Sequence, residues 1–270
     1  MPIKLIAVDM DGTFLNSDQD YNRERFRQQY TELKKRGIRF VVASGNQYYQ
    51  LKSFFPDFAD EISFVAENGA YIVHSNEEVF CGEMSENTVH KVLDILRDFQ
   101  SSSLVVCGRN SAYVAHDTSE ADFNQSLKYY HKLKRVDDLY TINDTIFKFA
   151  LTFNESDVPE VLEKLHESVG DFITPVTSGN IYIDLIIPGL HKAHGVKRIQ
   201  ELCHIEDHET VAFGDSGNDI EMLHHVAYGF AMENATEPVK SAANYITDSN
   251  DEEGVFNTID AILNKEHPFN

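Results

Sequence analysis

The sequence predicts an α/β fold: a parallel sheet with helices on both faces, interrupted by an inserted α+β unit. Three observations predict it. Residues 3–66 alternate strand-like apolar runs with helical stretches, residues 70–187 switch to hairpin-like strand pairs, and the first rhythm returns from Gly189 onward. Regular alternation of strand and helix is the signature of a parallel sheet covered on both sides.

Ile3–Val8 (Ile-Lys-Leu-Ile-Ala-Val) is mostly apolar and of strand length, as in a strand buried on both faces. Arg23–Arg36 places Phe26, Tyr30 and Leu33 at helical spacing, with Gly37 as a stop. Ile38–Ala43 is the next strand, followed by Ser44-Gly45-Asn46 and a helical stretch reaching Pro56; Ile62–Ala66 is the third strand. Ala70–Val73 and Val79–Phe80, separated by Ser75-Asn76-Glu77-Glu78, read as a hairpin.

Beyond it, Thr88–Phe99 carries Val89, Val92, Leu93 and Leu96 on one helical face. Leu104–Cys107 and Ala112–Ala115 read as strands, Ser119–Tyr130 as a helix and Thr145–Phe153 as a strand. Val158–Ser168 reads as a helix with Val158, Val161, Leu162 and Leu165 inward. Phe172–Val176 and Ile181–Ile186 flank the turn signal Ser178-Gly179-Asn180. The closing segment reads as helix (His191–Cys203), strand (Thr210–Phe213), helix (Asn218–His225), strands (Tyr228–Met232, Asn244–Thr247) and helix (Val255–Leu263). The expected division is a core of residues 1–82 and 188–270 around an insertion of residues 83–187.

At 270 residues the chain is long enough for one large or two modest cores. Lys and Arg number 23 against 44 Asp and Glu, a formal net charge of −21. Nucleic acid and anionic membrane both reward a basic surface, so neither is expected as a partner. A small phosphorylated substrate remains compatible, provided that a metal ion, a lysine or a helix N-terminus meets the anion locally. Cys81, Cys107 and Cys203 are odd in number and far apart, which points to reduced thiols and a cytoplasmic location. The first apolar run is short and broken by Asp9, so neither a signal peptide nor a membrane span is expected.

Three polar clusters follow the strongest strands: Asp9-Met10-Asp11-Gly12-Thr13, Ser44-Gly45-Asn46, and Gly214-Asp215-Ser216-Gly217-Asn218-Asp219. Ligands of open parallel sheets bind beyond the carboxyl ends of the strands, so all three can converge on one site. Asp9 and Asp11 would share a side if strand geometry continued through them, and paired carboxylates need a cation or a proton. A hard ion such as magnesium fits, with Asp215 as a third carboxylate. A plain turn is the alternative. An EF-hand is not, because the twelfth position of a loop begun at Asp9 is Asp20 and of one begun at Asp11 is Asn22, not glutamate. Ser44-Gly45 reads equally as a helix N-cap or as a phosphate cradle, and Lys192 opens a predicted helix. His204 and His208 fall in a polar loop and read as hydrated surface; Tyr48 and Tyr49 either pack or reach the inserted unit, with packing the expectation.

In this order the clusters resemble the haloacid dehalogenase superfamily. Asp9–Thr13 is similar to its first motif, Ser44 to its second, Lys192 to its third and Gly214–Asp219 to its fourth. The insertion between the second and third motifs resembles the Cof-type branch with its C2-type cap on a Rossmann-like core. Val41–Asn46 and Ile186–Lys192 are similar to the corresponding text of bacterial sugar phosphatases, although many Cof-type members carry arginine where this chain has Asn46.

The resemblance implies a magnesium-dependent phosphatase. Asp9 would be the nucleophile and Asp11 the general acid and base. Asp9, Asp215 and the main-chain carbonyl of Asp11 would hold Mg2+. Ser44, Lys192, Asn218 and main-chain N–H groups near Met10 and Gly45 would bind the phosphoryl oxygens, and Asp219 would orient Lys192 or the metal's water shell. The implied substrate is a sugar phosphate. A phosphorylated cofactor such as flavin mononucleotide, a phosphomutase reaction, and a non-catalytic phosphosugar sensor are the alternatives.

Overall fold

A computed structural model describes residues 2–178 and 180–270 of the chain. The opening segment runs β1 (Leu5–Val8), α1 (Arg23–Lys35), β2 (Arg39–Ala43), α2 (Tyr48–Phe54), β3 (Ser63–Ala66) and a hairpin of β4 (Tyr71–His74) and β5 (Glu77–Cys81). The middle holds α3 (Glu86–Leu96), β6 (Ser103–Gly108), β7 (Ala112–Ala115), α4 (Glu120–Ser126), β8 (Leu133–Val136), β9 (Ile146–Thr152), α5 (Val158–Val169), β10 (Thr174–Thr177) and β11 (Tyr182–Ile186). The closing segment runs α6 (Lys192–Cys203), β12 (Thr210–Gly214), α7 (Ile220–His225), β13 (Tyr228–Met232), α8 (Glu237–Ala242), β14 (Tyr245–Thr247) and α9 (Gly254–Asn264).

The first and last segments build one eight-stranded sheet in the order β14-β13-β12-β1-β2-β3-β4-β5. It is parallel from β14 to β3, and β4 and β5 add an antiparallel edge. Its central strand β1 is apolar and buried on both faces because helices cover both sides. α1 buries Phe26, Tyr30 and Leu33 on one stripe. The Asn22 side chain accepts from the Arg25 N–H to cap it, and Gly37 ends it at φ +71°, where a glycine suffers no Cβ clash.

The second sheet is drawn wholly from residues 103–186, in the order β10-β11-β9-β6-β7-β8. Neighbours pair antiparallel except β7 and β8. α3 and α5 cover one face through Val92, Leu93, Leu96 and Leu165. The opposite face presents Val105 and Ala150 to a cavity shared with the first sheet. The chain is therefore α/β, a Rossmann-like core plus a cap.

Two elements differ from expectation. β8 was not anticipated because Leu-Lys-Arg-Val is short, polar at its centre and paired on one side only, so it has no buried face to leave an apolar pattern. α8 was not anticipated because six residues beginning Glu237-Pro238 are too short to show a helical period. The hairpin turn is also tighter than expected, only Ser75 and Asn76 at φ +50° and +64°, with Glu77 and Glu78 already in β5. Gly179, in the expected 178–180 turn, lies outside the described residues.

Candidate active site

β12, β1 and β2 lie side by side, and the polar clusters that follow them meet at their carboxyl ends. After β1 the chain does not continue as strand. Asp9 is extended, but Gly12 stands at φ +72°, and the Phe14 and Leu15 N–H groups donate to the carbonyls of Asp9 and Met10 at 3.2 and 2.9 Å. This turn is anchored behind by Phe14, whose ring lies 5.2 Å from Phe26 and 5.0 Å from Phe256. Such aromatic pairs add roughly 0.5–1.5 kcal/mol each beyond area burial. Gly12 is also required by space: a Cβ there would lie 2.6 Å from Asp215 Oδ2.

Lys192, at the first turn of α6, is 1% exposed and sends Nζ to Asp9 Oδ1 and Asp219 Oδ1, both at 2.7 Å. The other oxygen of Asp219 accepts from the N–H groups of Asp215 (3.1 Å) and Ser216 (3.0 Å), so Asp219 anchors both Lys192 and the loop after β12. The Thr13 hydroxyl donates to Asp215 Oδ1 at 2.7 Å. Asn46 Nδ2 donates to Asp11 Oδ2 at 2.6 Å. Ser44 is buried, and its hydroxyl accepts from the Asn46 N–H at 3.1 Å.

Asp9, Asp215 and Asp219 each bring a carboxylate oxygen within 4.8 Å of the others. Burial, then the Asp219 charge, pushes Asp9 well above the usual carboxylate range, against the pull of Lys192. The same two causes raise Asp215 to about 7, opposed by the Thr13 hydrogen bond. Burial also works against charge on Lys192, but Asp219 and Asp9 outweigh it and hold its pKa above the ordinary value. One ammonium among three carboxylates, two buried and that of Asp215 half-buried, leaves surplus negative charge, and an all-oxygen donor set of this kind fits a hard divalent cation. The Asp11 carboxylate is not part of this cluster. Burial raises its pKa as well, and Asn46 opposes the rise.

A cavity of about 520 Å³ opens over these groups. Asp9, Asp11, Ser44, Lys192, Asp215 and Asn218 face it from the core. Gly45 lies under Asp184 of the cap, where a Cβ would come within 3.1 Å of its carboxylate. Met10 is fully buried in the turn, and Asp219 is fully buried behind Lys192. From the cap, Tyr129, Tyr182, Lys148 and Asp184 complete the walls.

Sequence reasoning assigned no role to Asn46, nor to Thr13, Asn68, Lys148 or Asp184. A signal for the last two was present: one lysine in Ile-Phe-Lys-Phe-Ala-Leu-Thr and one aspartate in Tyr-Ile-Asp-Leu-Ile are charges inside apolar strands. Tyr48 packs against Phe64 and Tyr71, as expected. Tyr49 does more than pack: its hydroxyl donates to the Arg109 carbonyl at 3.2 Å, and Lys132 Nζ lies 3.3 Å from its ring centre, so it reaches the cap. His204 is exposed and ends α6 in a left-handed conformation, and His208 sits in the short turn before β12.

A parallel sheet whose strand ends gather buried aspartates and a lysine beneath a cap defines a phosphoryl-transfer hydrolase. Residues 6–259 match the haloacid dehalogenase-like hydrolases. The chain belongs to that family, in its Cof-type branch, and is a phosphatase. It is 50% identical over 269 residues to the 5-amino-6-(5-phospho-D-ribitylamino)uracil phosphatase YbjI of Escherichia coli K12, covering 100% of this chain and 99% of the relative. It is 28% identical to the phosphatase of the same description, YcsE, of Bacillus subtilis 168, covering 95% of this chain and 94% of the relative. Among solved structures, SMU.1108c of Streptococcus mutans UA159 superposes with a TM-score of 0.93 at 34% identity, covering 97% of this chain and 99% of that one. A subclass IIB sugar phosphatase, BT4131, shares the fold with a TM-score of 0.80 at 21% identity, covering 95% of this chain and 98% of its own.

Proposed function

We propose that the chain is a magnesium-dependent phosphatase of small phosphomonoesters, sugar phosphates foremost, acting through an aspartyl-phosphate on Asp9. The observation that carries this reading is the Lys192 ammonium, 2.7 Å from both Asp9 and Asp219 at the floor of the cavity. It sets a carboxylate and a phosphate-binding cation side by side, as an in-line attack requires.

In the first step an Asp9 oxygen attacks phosphorus, the bond to the leaving oxygen breaks, and Asp11 gives its proton to the alkoxide. In the second, Asp11 takes a proton from water, which attacks phosphorus and releases Asp9 and inorganic phosphate. Lys192, Ser44, Asn218 and the main-chain N–H groups of Met10 and Gly45 bind the phosphoryl oxygens, and Asp219 keeps Lys192 in place. Asp9, Asp215 and the main-chain carbonyl of Asp11 would hold Mg2+. When bound it neutralises the phosphoryl charge against an anionic attacker. That local compensation lets a chain of net charge −21 bind a phosphate ester.

A second reading narrows the leaving group to a polyol phosphate attached to a pyrimidine-like ring. It is supported by the substrate for which the 50% identical relative is named. It is also supported by Tyr129 and Tyr182, edge to face at 5.6 Å on the cavity wall, which suit the flat face of a base. Free thiols at Cys81, Cys107 and Cys203 suit a reducing, cytoplasmic setting. Among the described residues no helix is long and apolar enough to cross a membrane.

Phosphate release from p-nitrophenyl phosphate tests the reading. Release should require Mg2+, stop with a chelator, and vanish in Asp9→Asn. A protein that binds phosphosugar but releases nothing, with Asp9→Asn behaving like the parent, is a sensor. Relative kcat/KM on hexose, pentose and tetrose phosphates, flavin mononucleotide and a ribitylaminouracil phosphate then decides the leaving group.

A further inference from the structure

A second polar system runs from the cap into the candidate site. Lys148 on β9 and Asp184 on β11 are each 2% exposed, and Lys148 Nζ lies 2.8 Å from Asp184 Oδ2. The same oxygen accepts from Asn68 Nδ2 at 2.6 Å. Asn68 Oδ1 in turn accepts from Asn218 Nδ2 at 2.9 Å, and Asn218 Oδ1 accepts from the Ser216 hydroxyl at 2.9 Å. Every link is buried or half-buried.

The turn carrying Asn68 is unusual. Glu67, Asn68 and Gly69 stand at φ +52°, +54° and +90° in succession, and two of them are not glycine. At the two non-glycine residues such backbone is strained, and it persists where its surroundings enforce it. The turn is stitched to the phosphate-side loop: the Glu67 N–H donates to the Asn46 carbonyl at 3.2 Å and the Asn68 N–H to the Ser44 carbonyl at 3.0 Å.

An amide side chain has one accepting and one donating end, so its orientation follows from its partners. An ionised carboxylate only accepts, so the Asp184 oxygen demands the NH2 end of Asn68. The oxygen end of Asn68 is then turned to Asn218 and demands its NH2 end as well. One N–H of Asn218 is consumed, leaving the other for the cavity that Asn218 lines. If Asn68 were free to turn over, Asn218 could follow and present its carbonyl oxygen to the phosphoryl group, where two acceptors repel.

We propose that Asp184 is a positioning residue: a carboxylate of the cap that, through Asn68, fixes the Asn218 amide as a donor in the phosphoryl site. Phosphate-binding geometry is thereby complete only when the cap is seated. This rests on the reading above, in which Ser44, Lys192 and Asn218 hold the phosphoryl group.

The probe is inorganic phosphate as a competitive inhibitor of the full-length enzyme, measured beside kcat, KM and the melting temperature. Asp184→Ala should weaken phosphate inhibition about tenfold, the size of one hydrogen bond to an anion lost or reversed. Asp184→Asn keeps an oxygen for Asn68 and should stay within about twofold of the parent, with Glu67, 3.9 Å from Lys148, left to meet the lysine. Asn68→Gly suits the positive φ and should reproduce the loss of Asp184→Ala. The double variant should be no weaker than either single one. A folded Asp184→Ala that binds phosphate like the parent overturns the proposal, and so do losses that multiply in the double variant. Should Asp184→Ala fail to fold, Asn68→Gly carries the test, and parental phosphate binding there overturns it equally. Ser44→Ala separates the two readings: if it too binds phosphate like the parent, the phosphoryl-site assignment fails; if it weakens binding while Asp184→Ala does not, only the positioning role fails.

Discussion

Asn46 and Asp11 form one of the shortest side-chain contacts in the site, with Asn46 Nδ2 donating to Asp11 Oδ2 at 2.6 Å. The other oxygen of Asp11 is buried and has no hydrogen-bond partner among the described residues. The proposed acid and base is therefore held by one oxygen, with its carboxyl group on the cavity wall. Many Cof-type phosphatases carry arginine at this position; here a neutral amide does the holding.

The first prediction follows from that contact. Asp11→Asn should cut turnover of alkyl phosphates by about 10²–10⁴-fold, the usual share of general acid–base catalysis. Mg2+ affinity should be largely kept, because only the main-chain carbonyl of residue 11 is assigned to the ion. Asn46→Ala should cut the same turnover by about tenfold, because Asp11 is still present but loses its hold. Steady-state kinetics on a hexose phosphate with a Mg2+ titration checks both, and unchanged rates would remove Asp11 from its assigned role.

Gly12→Ala tests the turn. Its φ of +72° disfavours any L side chain, and the new Cβ would meet Asp215 Oδ2 at 2.6 Å. Displacing Asp215 should weaken Mg2+ binding by about tenfold or more and lower stability by about 1–2 kcal/mol. Calorimetric Mg2+ titration and a thermal melt measure the two effects, and a parental ion affinity would mean that Asp215 is not a ligand.

Glu67 makes a prediction about pH. Burial raises its pKa from 4.5 to about 7; Lys148 opposes the rise and Asp184 adds to it. Cys107 and Tyr130 are the other titratable groups that it influences, and both are pushed well above their ordinary values, chiefly by burial. Between pH 4.5 and about 7 the folded chain holds a proton that the unfolded chain has released, so stability falls as pH rises through this window. Glu67→Gln cannot release that proton. Its melting temperature should fall less steeply than the parent's from pH 5 to about 7.5, whereas Asp9 and Asp215 contribute equally to both curves. Parallel curves would show that Glu67 is ionised throughout.

Much of this arrangement was legible in the sequence, for a physical reason. Asp9, Ser44 and Asp215 each follow an apolar strand, and Lys192 opens a helix, so each carries a local signal of strand end or helix start. Their convergence follows from the parallel order of β12, β1 and β2. Asn46 carried no local signal, and Lys148 and Asp184 stood out only as charges inside apolar strands; what makes all three site residues is a partner far away in the chain. Asn68 meets Asp184 across 116 residues and Asn218 across 150, and no local pattern encodes such pairings. Asp219 lay between: the resemblance implied that it orients Lys192 or the metal's water shell, but its second job, closing the loop after β12, emerges only in three dimensions.

The central claim is that Asp9 carries the phosphoryl group. Acid quenching during turnover, followed by borohydride reduction and peptide mass spectrometry, tests it most directly, because an aspartyl-phosphate is reduced to homoserine and a free aspartate is not. Homoserine is expected at position 9, dependent on substrate and Mg2+ and absent from Asp9→Asn. Reduction at Asp11 or Asp215 instead, or sustained phosphate release from Asp9→Asn, would contradict it.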